Sequence, residues 1–383
     1  MDKINITKDI RYVGVNDHKI ELFEGQYHVP HGMSYNSYLV IDDLVVVVDS
    51  VDKHFATEWI DNIRLQLKGR KVDYLIINHM EPDHSGSILE LVKAYPAVAL
   101  VGNMMTFKMF DQFFPNNHAQ HRLIVKDGEE LDLEHHKFHF LTAPNVHWPE
   151  VMFTYDSYDK VLFSADAFGK FGTLDFNEDW VDEAKRYYFG IVGKYGKNVL
   201  QSLIKVGTKE IKAICPLHGP VLQTGLDFYL QKYLDWASYK ADTKGTLIAV
   251  SSVYGNTLNV ANKLQKKLKA KGEAVEIVDL NTCDMAKAIA LAFSYDKLVC
   301  ASITYNADIF PSMRQFLDGL ISRNYCNRRV GFIENGTWAP LASKVMQLYL
   351  ERSTNIEKLS TVTIKSSIYN EADLDNLVSE LIK

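Results

Sequence analysis

Cysteine is scarce: four occur in 383 residues (Cys215, Cys283, Cys300 and Cys326), and none of them form a C-x-x-C pair. This pattern argues against a disulfide framework and a thiolate-ligated iron site, and fits a reducing compartment. Long apolar runs are also missing. No stretch approaches the roughly 20 residues of a membrane span, and Met1-Asp2-Lys3-Ile4-Asn5 opens without the apolar region of a secretory signal. A cytoplasmic protein with no membrane partner is the expectation. Runs of Lys and Arg are absent too, and the formal net charge is −6, so no nucleic-acid partner is expected. No internal repeat or low-complexity segment occurs. What remains is an ordinary globular composition, 47% hydrophobic and 23% charged, with ample material for a core. The length favours two to three domains.

Against that plain background one stretch stands out: Asn78-His79-Met80-Glu81-Pro82-Asp83-His84-Ser85, directly after the apolar run Tyr74-Leu75-Ile76-Ile77. On an extended segment, 79, 81 and 83 would face one side while His84 turned to the other. Mixed imidazole and carboxylate donors suit iron, manganese or zinc, and are too nitrogen-rich for calcium or magnesium.

The chain before and after this loop reads as strands delivering further ligands. Ser37–Ile41 and Leu44–Val48 form a hairpin around Asp42-Asp43, and the second run, with no polar alternation, should be buried on both faces. Helices are expected over 53–68, from Ser85-Gly86-Ser87 onward, over 104–114 and, continuously, over about 182–206. Strands are expected at 72–77, 97–101, 121–142, 151–155, 161–164 and 211–215. Apolar strands thus lead to His79/Glu81/Asp83/His84, to His147, to Asp166 and to His218. Seven such side chains exceed one tetrahedral zinc site, which needs four, and could serve two metals joined by a bridging carboxylate. His118, His121, His135, His136 and His139 read as surface or half-buried residues, and His28 and His31 as members of a loop before the first hairpin.

Residues 227–242 carry an amphipathic helix, followed by the short polar linker Ala241–Gly245, which places a domain boundary near 243. The two domains are then 1–243 and 244–383. In the second, strands at 246–252, 274–280, 297–303, 328–334 and 359–365 alternate with helices at about 257–271, 284–292, 311–322, 338–352 and 371–382. Five such units predict a doubly wound parallel sheet with its ligand beyond the carboxyl ends of the strands. The loop Ser251-Ser252-Val253-Tyr254-Gly255-Asn256-Thr257 offers hydroxyls and amides at a helix start but no Lys or Arg, which suits a monoester phosphate and is not a P-loop. Thr304-Tyr305-Asn306 and Asn335-Gly336-Thr337-Trp338 follow the third and fourth strands. Tyr305 and Trp338 could flank a flat ring, with amides around Gly336 on its edge.

The motif set resembles a known family. The first domain looks like the metallo-β-lactamase fold, an αββα sandwich whose hydrolases typically carry H-x-H-x-D-H. Here the motif is H-x-E-x-D-H, with Glu81 in the second position. Together with Ser34–Leu39, His147-Trp148-Pro149-Glu150, Asp166 and Cys215-Pro216-Leu217-His218-Gly219-Pro220, it is similar to flavodiiron proteins of the A-type. The last third resembles flavodoxins, whose ligand is FMN, and the order of the two domains is that of the same family.

The resemblance implies one iron on His79, Glu81 and His147, a second on Asp83, His84 and His218, and Asp166 bridging both. It also implies FMN, dioxygen or nitric oxide as substrate, and a head-to-tail homodimer or dimer of dimers. Two irons and a reduced flavin can store the four electrons that take dioxygen to water. The extra charge of Glu81 favours ferric over ferrous iron, which a hydrolase does not need. The chain closes after its fifth βα unit without rubredoxin-type Cys pairs or a flavin reductase module, so the expected donor is external: a rubredoxin-like protein, or a reduced deazaflavin or flavin reductase system. Tyr35, Trp148 and the loop near His28 are candidates to set the preference between the gases. The competing expectation is a metal-dependent hydrolase with an appended flavodoxin-like module.

Overall fold

The computed structural model describes residues 6–115 and 121–383. The chain separates into two units that meet between Leu234 and Asp235, within helix Leu226–Ala237 and ahead of the polar linker.

The first unit is built on two sheets. Strands β1 (Ile10–Tyr12), β2 (Tyr38–Ile41), β3 (Val45–Val48), β4 (Tyr74–Ile76), β5 (Ala99–Gly102) and β6 (Arg122–Ile124) lie side by side in chain order. The first three are antiparallel, and β3 through β6 run parallel. The hairpin is in register from Tyr38 opposite Val48 to Ile41 opposite Val45. All four valines of β3 are buried, as a strand covered on both faces requires.

The second sheet carries β7 (Glu130–Asp132), β8 (Lys137–Thr142), β9 (Met152–Asp156), β10 (Val161–Phe163) and β11 (Ala213–Cys215), antiparallel except for the β10–β11 pair. Val46, Val48, Ile76 and Val101 of the first sheet pack in one core with Phe138, Phe140, Met152 and Phe163 of the second. Helix Ala56–Leu67 buries Trp59, Ile60, Ile63 and Leu67, and the indole of Trp59 donates to Ser37 Oγ at 2.9 Å. Packing of that kind makes truncation of a buried Trp cost about 3–5 kcal/mol.

Two local expectations change. The segment 79–84 is not extended throughout, because Pro82 opens a single helical turn, Pro82–Ser85, after Glu81 in β-like backbone. Helix 182–206 is also not continuous. It runs Trp180–Tyr187, widens into a π turn at Tyr188–Val192, tightens at Gly193–Tyr195 and resumes at Gly196–Val206. The break falls where Gly190, Gly193 and Gly196 lower helix propensity.

The second unit is a parallel sheet of β12 (Thr243–Ser251), β13 (Val275–Asp279), β14 (Tyr295–Tyr305), β15 (Arg328–Asn335) and β16 (Ile356–Lys365), in the order β13-β12-β14-β15-β16. Helices Asn256–Lys269 and Glu371–Leu381 bury Val260, Leu264, Leu268, Leu374, Leu377 and Leu381 against Ile248, Val250, Val299 and Ile333. The order reverses at β12, so the space beyond β12 and β14 is a topological switch point, where ligands of such sheets bind.

Candidate two-metal centre and nucleotide pocket

The seven side chains singled out at strand ends come together in two neighbouring groups: His79, Glu81, His147 and Asp166, and Asp83, His84 and His218. In the first, Glu81 Oε2 lies 3.2 Å from His79 Nε2 and 3.0 Å from His147 Nε2. In the second, His84 Nε2 lies 3.2 Å from Asp83 Oδ2 and 3.0 Å from His218 Nε2. The helical turn at Pro82 is what sorts Asp83 with His84 instead of with His79 and Glu81.

Asp166 lies between the groups. Its Oδ2 is 3.0 Å from His147 Nε2 and 3.5 Å from His79 Nε2, while Oδ1 is 3.3 Å from His84 Nε2 and 3.9 Å from His218 Nε2. Each oxygen therefore serves one group. Yet neither Asp166 oxygen, nor either oxygen of Asp83, has a hydrogen-bond partner among the described residues, although all are buried. Buried carboxylate oxygens without donors are costly unless a cation meets them. Donor atoms about 3 Å apart are also the spacing of ligands that each sit about 2.1 Å from a common metal. The donor set thus fits two transition-metal ions bridged by Asp166.

The surrounding structure orients these groups. Glu150 Oε1 accepts from His79 Nδ1 at 2.7 Å and from Met80 N at 2.8 Å, and Ser34 O accepts from His218 Nδ1 at 2.7 Å. Both contacts turn Nε2 toward the centre, as metal-ligating imidazoles require. His84 Nδ1, by contrast, is buried with no partner among the described residues. Asp49 pins the start of the loop by accepting from Asn78 N, at 2.7 Å, and from Asn78 Nδ2, at 2.9 Å. Asn145 and Ala165 precede His147 and Asp166 with positive φ (63° and 48°), a conformation Asn tolerates but Ala holds only when its surroundings impose it. Burial opposes charge on His147, but Asp166 and Glu81 outweigh it and raise its pKa to about 9, so a metal entering here displaces protons.

Aromatic rings wall the centre: Phe23, Tyr35 and Tyr187 lie 5.4, 6.0 and 5.5 Å from the His218 ring, and Trp148 lies 5.3 Å from that of His79. Tyr35 and Trp148 are thus beside the site, whereas His28 is exposed, and its carbonyl accepts from Arg186 Nη2. Tyr187 was not singled out from the sequence. Its hydroxyl is buried without a partner among the described residues, in the field of Asp166, Glu81 and Asp83. Nothing in a Tyr-Tyr-Phe run marks it, since its place depends on how the helix Trp180–Tyr187, which it ends, packs against the centre. In the sequence Glu150 stands only as a neighbour of His147, and nothing there singles out Asp49. Of the remaining histidines, His121 and His135 are exposed, His139 is half-buried, His31 stacks on Phe176 and His136 is fully buried; His118 lies outside the described residues.

In the second unit a cavity of about 550 Å³ opens beyond β12, β14 and β15. It is lined by Ser252, Tyr254, Asn256 and Thr257 of the first loop, Thr304 and Asn306 of the second, and Asn335, Gly336, Thr337 and Trp338 of the third. Three expected residues are placed otherwise. Ser251 is buried and bonded to Ser312 Oγ at 2.7 Å, Gly255 precedes the helix at φ 84°, and Tyr305 packs edge-on against Phe310. Tyr254 and Trp338, 93% and 91% exposed, are the aromatics available to cover a flat ring. Ser366, missed in the sequence, joins the lining and lies 3.2 Å from Thr337 Oγ1. A Cβ on Gly336 would meet Pro340 Cα at 2.7 Å, so this turn requires glycine.

Comparison with known proteins agrees with both halves. A model for the ODP family beta lactamase matches residues 33–219, and a flavodoxin-domain model matches 247–371. The nitric oxide reductase of Moorella thermoacetica is 28% identical over 355 residues, covering 90% of this chain and 88% of its own. The chain spans 61%, 59% and 50% of the length of three diflavin flavoproteins of Nostoc and Synechocystis that it matches. A flavo di-iron protein of Thermotoga maritima superposes with a TM-score of 0.91 at 27% identity, covering 100% of this chain and 97% of that one. The rubredoxin oxygen:oxidoreductase of Desulfovibrio gigas shares the fold, with a TM-score of 0.92 at 24% identity. Fold and sites therefore define a β-lactamase-like domain with paired metal-ligand groups, joined to a flavodoxin domain. The chain belongs to the flavodiiron proteins, and the cofactors that go with this family are FMN and a pair of irons.

Proposed function

We propose that this chain is an oxidoreductase that takes electrons from an external donor through FMN to a two-iron centre, where it reduces dioxygen to water, nitric oxide to nitrous oxide, or both. The observation that carries this reading is Asp166, whose two oxygens address separate donor groups. In the proposal His79, Glu81 and His147 hold one iron, and Asp83, His84 and His218 the other. The irons supply redox equivalents and open positions where a diatomic binds.

The chain's own residues do the rest. Glu150 and Ser34 aim His79 and His218. Glu81, an anion where the hydrolase motif has a neutral imidazole, favours the higher oxidation state. Phe23, Tyr35 and Trp148 keep bulk water away, and the Tyr187 hydroxyl, buried and unspent, is placed to donate a hydrogen bond to what binds between the groups. Hydroxyls and amides of 252–257 would hold FMN, and Tyr254 and Trp338 are the aromatic side chains of the cavity that would meet its ring. The donor in this reading is a rubredoxin-like protein or a reduced deazaflavin or flavin reductase system. The working form is a head-to-tail homodimer that brings the flavin of one copy to the irons of its partner.

The test is parallel gas consumption by protein loaded with iron and FMN, reduced anaerobically, alongside His147→Ala and Asp166→Ala. Consumption of either gas, lost in both variants, is the expected result. Turnover that survives both substitutions, or zinc-dependent hydrolysis without gas consumption, would overturn the reading.

A further inference from the structure

His218 is carried by the tight loop Pro216-Leu217-His218-Gly219 after β11, which closes with Gly219 in left-handed backbone at φ 76°. Buried carbonyls in such a loop have no strand ladder to join, so each needs a donor from elsewhere. Three of them find it in one residue, Asn36, which stands two positions before β2. Its backbone amide donates to Leu217 O at 2.8 Å. Its side-chain Nδ2 donates to Pro216 O and to Gly219 O, both at 2.8 Å. The carbonyls on either side of His218 are therefore gripped by a single side chain.

The grip is itself oriented. Both Nδ2 hydrogens are spent on the loop, while Oδ1 accepts from the Tyr12 hydroxyl at 3.1 Å. A flipped amide would set its oxygen against two carbonyl oxygens. Tyr38 adds a second donor to Pro216 O at 2.5 Å. Asn36, Ser34 and Tyr38 are completely buried, so water does not compete for these contacts.

Two short routes lead from this grip to the metal-ligand groups. Ser34 accepts from His218 Nδ1 and, through Oγ, from the Gly219 amide at 2.8 Å. Leu217 donates its amide to Ala165 O at 2.8 Å, the carbonyl just ahead of Asp166. His79 is aimed separately, by Glu150. In the Asp83, His84 and His218 group, His218 is the imidazole whose outer nitrogen is held, since that of His84 has no partner among the described residues.

We propose that Asn36 is a positioning residue for the metal held by Asp83, His84 and His218, fixing the loop that presents His218 without touching the metal itself. This rests on the two-metal reading above. Contacts that orient a ligand in this way govern metal affinity more than they govern the fold.

The experiment uses the full chain loaded with iron and FMN and challenged with a chelator. Iron and flavin are counted, and the magnetic resonance spectrum of the oxidised protein is recorded. In Asn36→Ala one iron of the pair should be lost about ten-fold more readily and the other kept, with FMN unchanged. The coupled pair should then give way to the signal of an isolated ferric ion. Tyr12→Phe removes only the bond that orients the amide. It should move iron retention the same way by a smaller factor, and it carries the test if Asn36→Ala does not fold. Trp59→Phe, which loses its bond to Ser37 Oγ on the same segment, should lower the unfolding temperature without selective iron loss. Equal loosening of both irons, undiminished retention of both, or the same selective loss in Trp59→Phe would each overturn the assignment. Unaltered protein that binds no iron pair would overturn the two-metal reading itself, and the assignment with it.

Discussion

Among single residues, the most informative comparison is between His79 and His84. Both are fully buried and both point Nε2 into the centre, but Glu150 holds Nδ1 of His79 while Nδ1 of His84 has no partner among the described residues. An imidazole fixed at its outer nitrogen is the better ligand, so His79→Ala should lose iron that His84→Ala largely keeps. Iron analysis of the two variants decides this, and equal loss would show that the outer contact is unimportant. Glu150→Gln removes the charge that orients His79 and should weaken iron binding by about 10–100-fold, measured by competition with a chelator. Tyr187→Phe removes only the unspent hydroxyl. A hydrogen bond to the bound diatomic is worth about 1–1.5 kcal/mol, so gas turnover should fall by roughly ten-fold with iron and FMN contents unchanged. Unchanged turnover would assign Tyr187 to packing alone.

At the level of elements, strands were legible and the segments between them were less so. Unbroken Val45–Val48 announced its double burial, and the strand ends announced where ligands gather. The turn at Pro82 and the π turn at Tyr188–Val192 were not legible, because each is set by tertiary packing around a proline or a glycine cluster and not by periodicity. The same holds for Tyr187, Asp49 and Glu150, whose roles come from where the backbone puts them. In the flavin-type loops the hydroxyl-rich run marked the pocket, but strand alternation could not tell Tyr254 from Tyr305 as the aromatic that lines it.

Another contact between elements links helix Gly196–Val206 to the second sheet: Lys205 Nζ donates to both oxygens of Asp127, at 2.9 and 3.0 Å, and to Thr142 O at 2.8 Å. Burial works to raise the Asp127 pKa, but Lys205 and Thr142 outweigh it, so the folded-state value is depressed. A depressed carboxylate contributes stability above its unfolded pKa of about 4, and the contribution disappears as pH falls through the folded value. Asp127→Asn should therefore cost little, about 0.5 kcal/mol for so exposed a pair, at pH 7, and nothing once pH is below both values. Urea unfolding at both pH values checks the sign, and a larger cost in acid would contradict it.

For the molecule as a whole, the proposed relay needs two cofactor sites, built in separate units of the chain, and electrons that pass through the second to reach the first. Gly336 isolates that claim. It lies in the turn after β15, lines the cavity of the second unit, and has no room for a methyl group because of Pro340. Gly336→Ala must shift that turn, so FMN occupancy should fall by ten-fold or more. The two donor groups draw on residues 79–218 of the first unit, so two irons per chain should remain if these groups hold them. Turnover from an external donor should then fall in proportion to flavin content. Irons reduced beforehand with dithionite should still react once with oxygen or nitric oxide, at the rate of the unaltered protein. Full turnover from the donor with the flavin site empty would mean that electrons bypass FMN, and the relay proposed here would have to be abandoned.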